Sequence, residues 1–250
     1  MSNSTGHFSV QSKQYALARP KYPEELFAFI SSLCNEHNAA WDCATGNGQA
    51  AISIVNYFET VFATDYSKEQ IGNATPHPKI KYAVEKAEEC SLPDGSMDLI
   101  TVATGAHWFN HSAFHAQVNR VLKRGGILTI WGYGGTTITD AIDEIVNPFA
   151  FEFLKTYWPE ETKLNWLYKY TTIPFPYDLI SVPAFKATAK MNLELFCNYI
   201  FSWSATQQYI KQHRKNPVDL IYDELKIRWG NAEEEKLITW ELFMKCGRKP

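Results

Sequence analysis

The sequence predicts an α/β protein: a doubly wound, mostly parallel sheet with a small helical lid inserted after the fifth strand. Three observations carry this. Strand-period and helix-period segments alternate from residue 24 to residue 131, which asks for parallel strands joined by crossover helices. Two of the strands end in an acid, and the first runs straight into a glycine turn and a helix start. Past Gly132-Tyr133-Gly134-Gly135 the alternation stops and an aromatic-rich stretch takes over.

Residues 1–23 read as an N-terminal strap. In Tyr15-Ala16-Leu17-Ala18-Arg19-Pro20-Lys21-Tyr22-Pro23 the prolines stop a helix and hold the backbone extended, which fixes Arg19 and the tyrosines. Pro23-Glu24-Glu25-Leu26 opens a helix that runs to about Cys34, with Leu26, Phe27, Ile30 and Leu33 at helical spacing. A buried strand then ends at Asp42, turns through Cys43-Ala44-Thr45-Gly46-Asn47-Gly48, and enters a helix holding Ala51–Val55. A second short apolar strand ends at Asp65, and Ser67 is an N-cap with Gln70 three residues on. Ile80–Glu85 is a third strand, Lys86–Pro93 turns back over the sheet edge, and Pro93-Asp94-Gly95-Ser96 is turn chemistry. Met97–Ala103 is a fourth strand, ending in the Thr104–Phe109 loop. A helix over Ser112–Lys123 leads through Arg124-Gly125-Gly126 to a fifth strand, Ile127–Trp131. Ligands of such sheets sit beyond the carboxyl ends of the strands, where Asp42, Asp65 and the Thr104–Trp108 loop all fall.

Residues 24–135 thus form the core. Residues 136–182 hold Phe149, Phe151, Phe153, Tyr157, Trp158, Trp166, Tyr168, Tyr170, Phe175 and Tyr177. They form either a lid walling an acceptor pocket or a helical layer that touches no substrate. Residues 183–250 return to the core with strands at 185–191 and 236–245, a helix from Leu193 that includes Tyr199–Ser204 near its end, and another over 217–229.

Composition narrows the partners. With 45% hydrophobic residues over 250 positions the chain can bury a sizeable core, so one domain with an insertion is expected. Net charge is −3 and the 24 basic residues are scattered, which argues against nucleic acid or an anionic membrane as partner. Five cysteines without a C-x-x-C pair or metal spacing, and a polar start without an apolar signal core, fit reduced thiols in a cytoplasmic protein. No window of about 18 apolar residues is present, so no membrane span is expected. A monomer or a homodimer is expected.

The glycine turn indicates the ligand. Gly46 and Gly48 let a ligand approach the backbone where a Cβ would collide, and the helix start beyond offers free N–H groups. Asp42 adds a negative charge that a phosphate cradle would avoid and a cationic ligand would want. That favours S-adenosylmethionine, with its amino group and sulfonium, over a dinucleotide. Asp65, about twenty residues on, is where a carboxylate binds the ribose hydroxyls of an adenosine. NAD enzymes share this second acid, so Asp42 carries the discrimination.

With these residues in view, the chain resembles the class I S-adenosylmethionine-dependent methyltransferases, and within them the trans-aconitate methyltransferase group. The segments that carry the resemblance are Tyr15…Arg19-Pro20-Lys21-Tyr22-Pro23, the Asp42–Gln49 turn, Asp65, Ala106-His107-Trp108-Phe109, Trp131-Gly132-Tyr133, Trp203-Ser204-Ala205, and the terminal strand ending Lys245-Cys246-Gly247-Arg248-Lys249. The resemblance implies a seven-stranded sheet in order 3-2-1-4-5-7-6 with only the last strand antiparallel. It implies a cofactor-binding set of Tyr15, Arg19, Asp42, Ala44, Gly46, Gly48, Asp65, Tyr66, Ala87, Glu88 and Thr104, and S-adenosyl-L-homocysteine as product. Asp42, Gly46 and Gly48 would surround the methionine part, Asp65 the ribose, and Ala87 and Glu88 the adenine edge. His107, Trp108 and Tyr133 would face the acceptor. The chain departs from the family at Ala44, where a glycine is usual, and at Lys86, where many relatives have an aspartate.

His107 is the candidate catalytic residue, as general base for an alcohol, phenol or amine acceptor, or else as a histidine that orders its loop. A carboxylate acceptor, ionised at pH 7, needs no base. His111 and His115 lie at i, i+4 without a third ligand, so no metal site is expected. Thr104-Gly105-Ala106-His107 is unlike the Asn/Asp-Pro-Pro-aromatic run of amino-directed DNA methyltransferases. The expected activity is O-methylation of a small carboxylic acid; a catalytically silent cofactor-binding protein is the alternative. Arg19 is placed to grip either the acceptor or the carboxylate of the cofactor, and the 136–182 stretch offers only Lys155, Lys163 and Lys169 as cations.

Overall fold

The computed structural model describes residues 20–250, so Tyr15 and Arg19 lie outside the described residues. Seven strands, β1 (Ala39–Cys43), β2 (Thr60–Asp65), β3 (Ile80–Val84), β4 (Met97–Ala103), β5 (Leu122–Thr137), β6 (Phe185–Met191) and β7 (Lys236–Arg248), make one sheet in the order β3-β2-β1-β4-β5-β7-β6. The pairs β1–β2, β1–β4, β2–β3 and β4–β5 are parallel. At the other side, Gly125 donates to the Lys249 carbonyl and Lys249 donates to that of Gly126, each at 2.9 Å, so the end of β7 meets the start of β5 running the opposite way. The mostly parallel sheet expected from the alternating periods is therefore present, with the seven strands and the order that the resemblance implied.

Residues group into two compact units. The first comprises Tyr22–Gly134, Leu164–Phe185 and Leu242–Pro250. Its central strands β1 and β4 are buried on both faces, as parallel strands under helices must be, while β3 at the sheet edge leaves Lys81 and Val84 exposed. Ala40, Val61, Ala63, Leu99, Ile127 and Trp131 turn to one side, where helix α1 (Glu24–Ser32) lays Leu26, Phe27 and Ile30 and helix α2 (Gln49–Ile54) lays Ala50, Ala51 and Ile54. Trp41, Cys43, Ile100, Val102, Leu128 and Ile130 turn to the other, against Phe114, Val118 and Val121 of the helix His111–Val121. Odd and even strand positions thus feed two separate cores, as the period of two requires. The Ser67 cap is as read: its hydroxyl accepts the Gln70 N–H at the start of the short helix Lys68–Gly72.

Of the described residues, the second unit comprises 20–21, 135–163 and 186–241. Here Phe196 stacks on Trp229 with ring centres 5.5 Å apart, and the buried Trp240 indole donates to the Tyr199 hydroxyl at 2.8 Å. Lys21 forms an isolated antiparallel bridge with Thr188. The stretch 136–182 is thus shared: residues 136–163 belong to this unit and residues 164–182 to the first.

Several element limits differ from the sequence reading. The helix before β5 stops at Val121 rather than Lys123, and β5 begins at Leu122 with an irregularity, since Met97 faces Leu122 but Leu99 faces Ile127. Nor does Gly132-Tyr133-Gly134-Gly135 end the strand, which continues to Thr137. A Cβ on Gly132 would lie 2.3 Å from Asn165 Oδ1 and 2.7 Å from the Phe243 ring, so this glycine answers close packing, not a chain break. The helix from Leu193 ends at Phe201, because Trp203 is extended (ψ 139°), and a new helix spans Ser204–His213. Residues 217–229 divide into a tight turn, Pro217–Leu220, and a helix, Tyr222–Trp229. Among the described residues no helix is long and apolar enough to cross a membrane.

Candidate active site

The carboxyl ends of β1, β2 and β4 lie side by side, and the turn after β1 is built from both neighbours. Gly46 and Gly48 take left-handed backbone, φ 58° and 86°, which glycine adopts without a Cβ penalty. A Cβ built on Gly46 would lie 3.8 Å from Gln70 Oε1, an ordinary van der Waals contact, so it is the left-handed backbone that calls for glycine there. A Cβ on Gly48 would lie 2.3 Å from the Tyr82 hydroxyl. Thr45 N–H donates to the Thr64 carbonyl and Gly48 N–H to that of Thr45, which fixes the turn against β2.

Ala44 also adopts φ 55°, at the position where the sequence departs from the family glycine. An alanine there costs about 1–2 kcal/mol of steric strain. Gly105 compensates across the gap: a Cβ added to it would lie 2.8 Å from Ala44 Cβ. Gly105→Ala is therefore expected to destabilise the protein by about 1–3 kcal/mol, as overpacking does. In an Ala44→Gly background most of that loss should return. Thermal melts of the two single variants and the double variant measure the coupling, and additive effects would show that the two positions are independent.

Asp42 is fully buried. Its carboxylate accepts hydroxyl bonds from Thr45 at 2.5 Å and Thr101 at 2.7 Å. Burial raises its pKa to about 6; the two hydroxyls and the Ala51 amide pull it down, while Asp65 pushes it further up. Asp65 accepts the Gly46 N–H on one oxygen and the Ser67 N–H on the other, both at 2.9 Å. Among the described residues no lysine, arginine or histidine forms an ion pair with either acid. Two unneutralised carboxylates beside a glycine turn and a helix start suit a ligand carrying positive charge and hydroxyl groups.

The loop after β4 completes this end of the sheet. Thr104 has φ 56°, donates its N–H to the Trp131 carbonyl at 2.7 Å, and shares a 3.1 Å hydrogen bond with the Tyr22 hydroxyl. Ala106–Trp108 form one helical turn that buries His107 and leaves Trp108 exposed. His107 Nδ1 lies 2.9 Å from the buried Tyr170 hydroxyl. Burial lowers the imidazole to a pKa of about 4 and raises the Tyr170 phenol well above its usual value. Lys169 and Tyr170 are consecutive left-handed residues, φ 47° and 59°, a conformation that costs about 1–2 kcal/mol per residue. The segment is held by Tyr170 N–H on the Leu164 carbonyl and by Lys245 Nζ on the carbonyls of Thr171 and Ile173.

The structure therefore gathers Asp42, Ala44, Gly46, Gly48 and Asp65 around one turn and brings Thr104 and Gly105 against it. Ala87 is buried and Tyr66 is exposed. The Glu88 carboxylate accepts the Asn110 N–H at 2.8 Å, at the start of the following helix. Tyr133 is half-buried, and its carbonyl accepts a bond from Asn165 Nδ2. Rings of His111 and His115 stand 6.3 Å apart, and among the described residues no group of three potential ligands gathers for a metal. Sequence reasoning missed Thr45, Thr101, Tyr82 and Tyr170 at this site. Thr45 was legible as a hydroxyl three residues beyond Asp42; Tyr170 carried no local signal.

A sheet in this order, with acid-ended β1 and β2 around a glycine turn, defines a Rossmann-like methyltransferase fold. Residues 41–130 match the methyltransferase domain family. A protein of Dictyostelium discoideum named as a methyltransferase is 34% identical over 97% of this chain and 94% of its own. A probable S-adenosylmethionine-dependent methyltransferase of Saccharomyces cerevisiae is 22% identical over 96% of each. The solved structure of a protein from Anaeromyxobacter dehalogenans, named as a type II methyltransferase, superposes with a TM-score of 0.86 at 31% identity, covering 92% of this chain and 97% of that one. The chain belongs to the class I S-adenosylmethionine-dependent methyltransferases, and S-adenosyl-L-methionine is its cofactor.

Proposed function

We propose that the enzyme methylates a small carboxylic acid on oxygen, as the resemblance to the trans-aconitate methyltransferase group suggests. The observation that carries the reading is the state of His107. Its pKa of about 4 leaves it a poor proton acceptor at neutral pH, and its Nδ1 is already taken up by Tyr170. A general base works best with a pKa near the operating pH. A carboxylate is ionised there without help, so the protein has only to align it, and orientation is worth about 7–11 kcal/mol. An alcohol or amine acceptor would need the base that His107 supplies poorly.

The bound cofactor supplies a methyl group on a positively charged sulfur. In this reading Asp42 and the Gly46–Gly48 turn hold its cationic methionine end, Asp65 its ribose, with Tyr66, Ala87, Glu88 and Thr104 around the adenosine and the methyl position. Tyr15 and Arg19, outside the described residues, remain part of the proposed set. Trp108 and Tyr133 line the acceptor side. The cations of residues 136–182 are few, and Lys163 already pairs with Glu160 at 2.5 Å. A mono- or dicarboxylate with an apolar body therefore fits better than a tricarboxylate.

Incubation with methyl-labelled S-adenosylmethionine and a panel of mono- and dicarboxylic acids tests this. The labelled product should release methanol in mild base, as a carboxyl ester does. A base-stable product would sink the carboxylate reading and return His107 to the role of base.

A further inference from the structure

We propose that Tyr170 is a positioning residue that locks His107 in its Nε2–H tautomer, so that the imidazole meets the acceptor as a neutral hydrogen-bond donor. The inference rests on the carboxylate reading for what is bound, but the tautomer follows from the protein alone. Nδ1 and the phenol oxygen are 2.9 Å apart, both side chains are buried, and one proton lies between them. Two arrangements satisfy that distance. Either the phenol donates to Nδ1, leaving the ring proton on Nε2, or Nδ1–H donates to the phenol.

The surroundings of the phenol choose. Tyr170 is buried, and among the described residues its hydroxyl has one hydrogen-bond partner, His107 Nδ1. A buried O–H left without an acceptor is costly, so the phenol proton has to be placed. Nδ1 is the acceptor within reach. The phenol stays protonated, since burial, with Tyr22 and Tyr133 nearby, raises it well above its usual value. Nδ1 therefore accepts, and Nε2 carries the hydrogen.

A neutral phenol on Nδ1 has a second consequence. In the Ser-His-Asp arrangement the histidine that works as a base has a carboxylate on its far nitrogen, which stabilises the imidazolium. Here burial is the one cause that shifts His107, and no charged group opposes it. A donor on Nδ1 disfavours protonation there, and Nε2–H is not a base. Among the described residues Nε2 makes no hydrogen bond, so its proton is available to a ligand. A carboxylate oxygen is the acceptor such a donor suits.

The backbone is built around this contact. Tyr170 stands at the second of two consecutive left-handed residues, a strained arrangement of the kind kept where it places a side chain. Phe243 closes edge-on against its ring at 5.1 Å, and Lys245 ties down the carbonyls on either side of the following turn.

NMR of the 15N-histidine-labelled full chain, with S-adenosylhomocysteine bound at pH 7, reads the tautomer, His107→Gln serving to assign the signal. The expected spectrum shows a neutral ring with Nε2 protonated and Nδ1 accepting; Tyr170→Phe should lose that bias while cofactor affinity is unchanged. A ring protonated on Nδ1, or an imidazolium, overturns the proposal. Kinetics with an acid selected by the methanol-release screen supply the second readout. His107→Leu should raise KM about 10- to 150-fold, the loss of one bond to a charged group, and His107→Gln, which keeps an N–H but no base, should recover most of it. Equal collapse of kcat in both variants overturns the donor role. A base-stable product would instead refute the carboxylate reading while leaving the tautomer result standing, so the two failures are distinguishable.

Discussion

Asp42→Asn is expected to weaken S-adenosylmethionine binding by about 10- to 150-fold and, at the same time, to stabilise the protein at pH 7.5. The first effect is the loss of a charge facing a cationic ligand, about 1.5–3 kcal/mol. The second follows from linkage. The folded pKa of about 6 lies above the unfolded value near 3.9, so the folded state binds more protons between those limits. Stability carried by this group is therefore full below about pH 4 and is lost as pH rises through about 6. Above that, the buried charge costs about 3 kcal/mol, an order-of-magnitude figure. Asparagine removes the charge, and the hydroxyls of Thr45 and Thr101 can rotate to serve an amide, at the expense of two charge-assisted bonds. A net gain of about 1 kcal/mol would lift the melting point by about 2–4 °C for a chain of this size. Calorimetric titration with the cofactor and thermal melts from pH 4 to 8 measure both. If affinity and stability fall together, Asp42 is a structural carboxylate and the assignment to the cationic end of the cofactor fails. For the wild type the same titration should show affinity declining below about pH 6, where Asp42 takes up its proton.

Asp65→Ala should act in the opposite sense on stability. Its two oxygens accept the Gly46 and Ser67 amides, so removal leaves the turn after β1 and the start of the next helix without their shared acceptor. Each lost bond to a charged group is worth about 1.5–3 kcal/mol, and a melting-point drop of several degrees is expected beside a loss of cofactor affinity beyond about 100-fold. Turn collapse and ribose recognition are separated by the ligand. Wild-type protein should bind a 2′-deoxy analogue of S-adenosylhomocysteine about 10-fold more weakly than the parent, whereas Asp65→Ala should no longer distinguish the two. Undiminished discrimination in the variant would remove Asp65 from the ribose. It would leave the acid as a clamp for the turn.

Both predictions concern residues legible from the chain. Asp42, Gly46, Gly48 and Asp65 lie within one βαβ unit, where strand ends, turn and helix start are set by neighbours in sequence. The alternation of Ala40, Trp41, Leu99 and Ile100 between two cores likewise follows from a period of two that any reader of the sequence can count. The sequence by itself therefore determined the fold class, the parallel core and the placing of two acids at adjacent strand ends.

The rest was decided across longer separations. Gly132 reads as a breaker until Asn165 and Phe243 are seen against its bare Cα, and the strand runs on to Thr137 because packing outweighs the local propensity. Ala44 holds a left-handed conformation that its own residue type disfavours, and Gly105, from the end of another strand, makes room for its Cβ. The carboxylate of Glu88 meets the Asn110 amide, a contact 22 residues apart along the chain that no local pattern announces. His107 shows the difference most sharply. Its position after β4 was plain from the sequence, but its protonation is set by burial and by the Tyr170 hydroxyl, 63 residues away along the chain. Periodicity and turn chemistry are local and survive in one dimension; desolvation, tautomer and steric room depend on which distant side chains arrive, and only the folded chain brings them together.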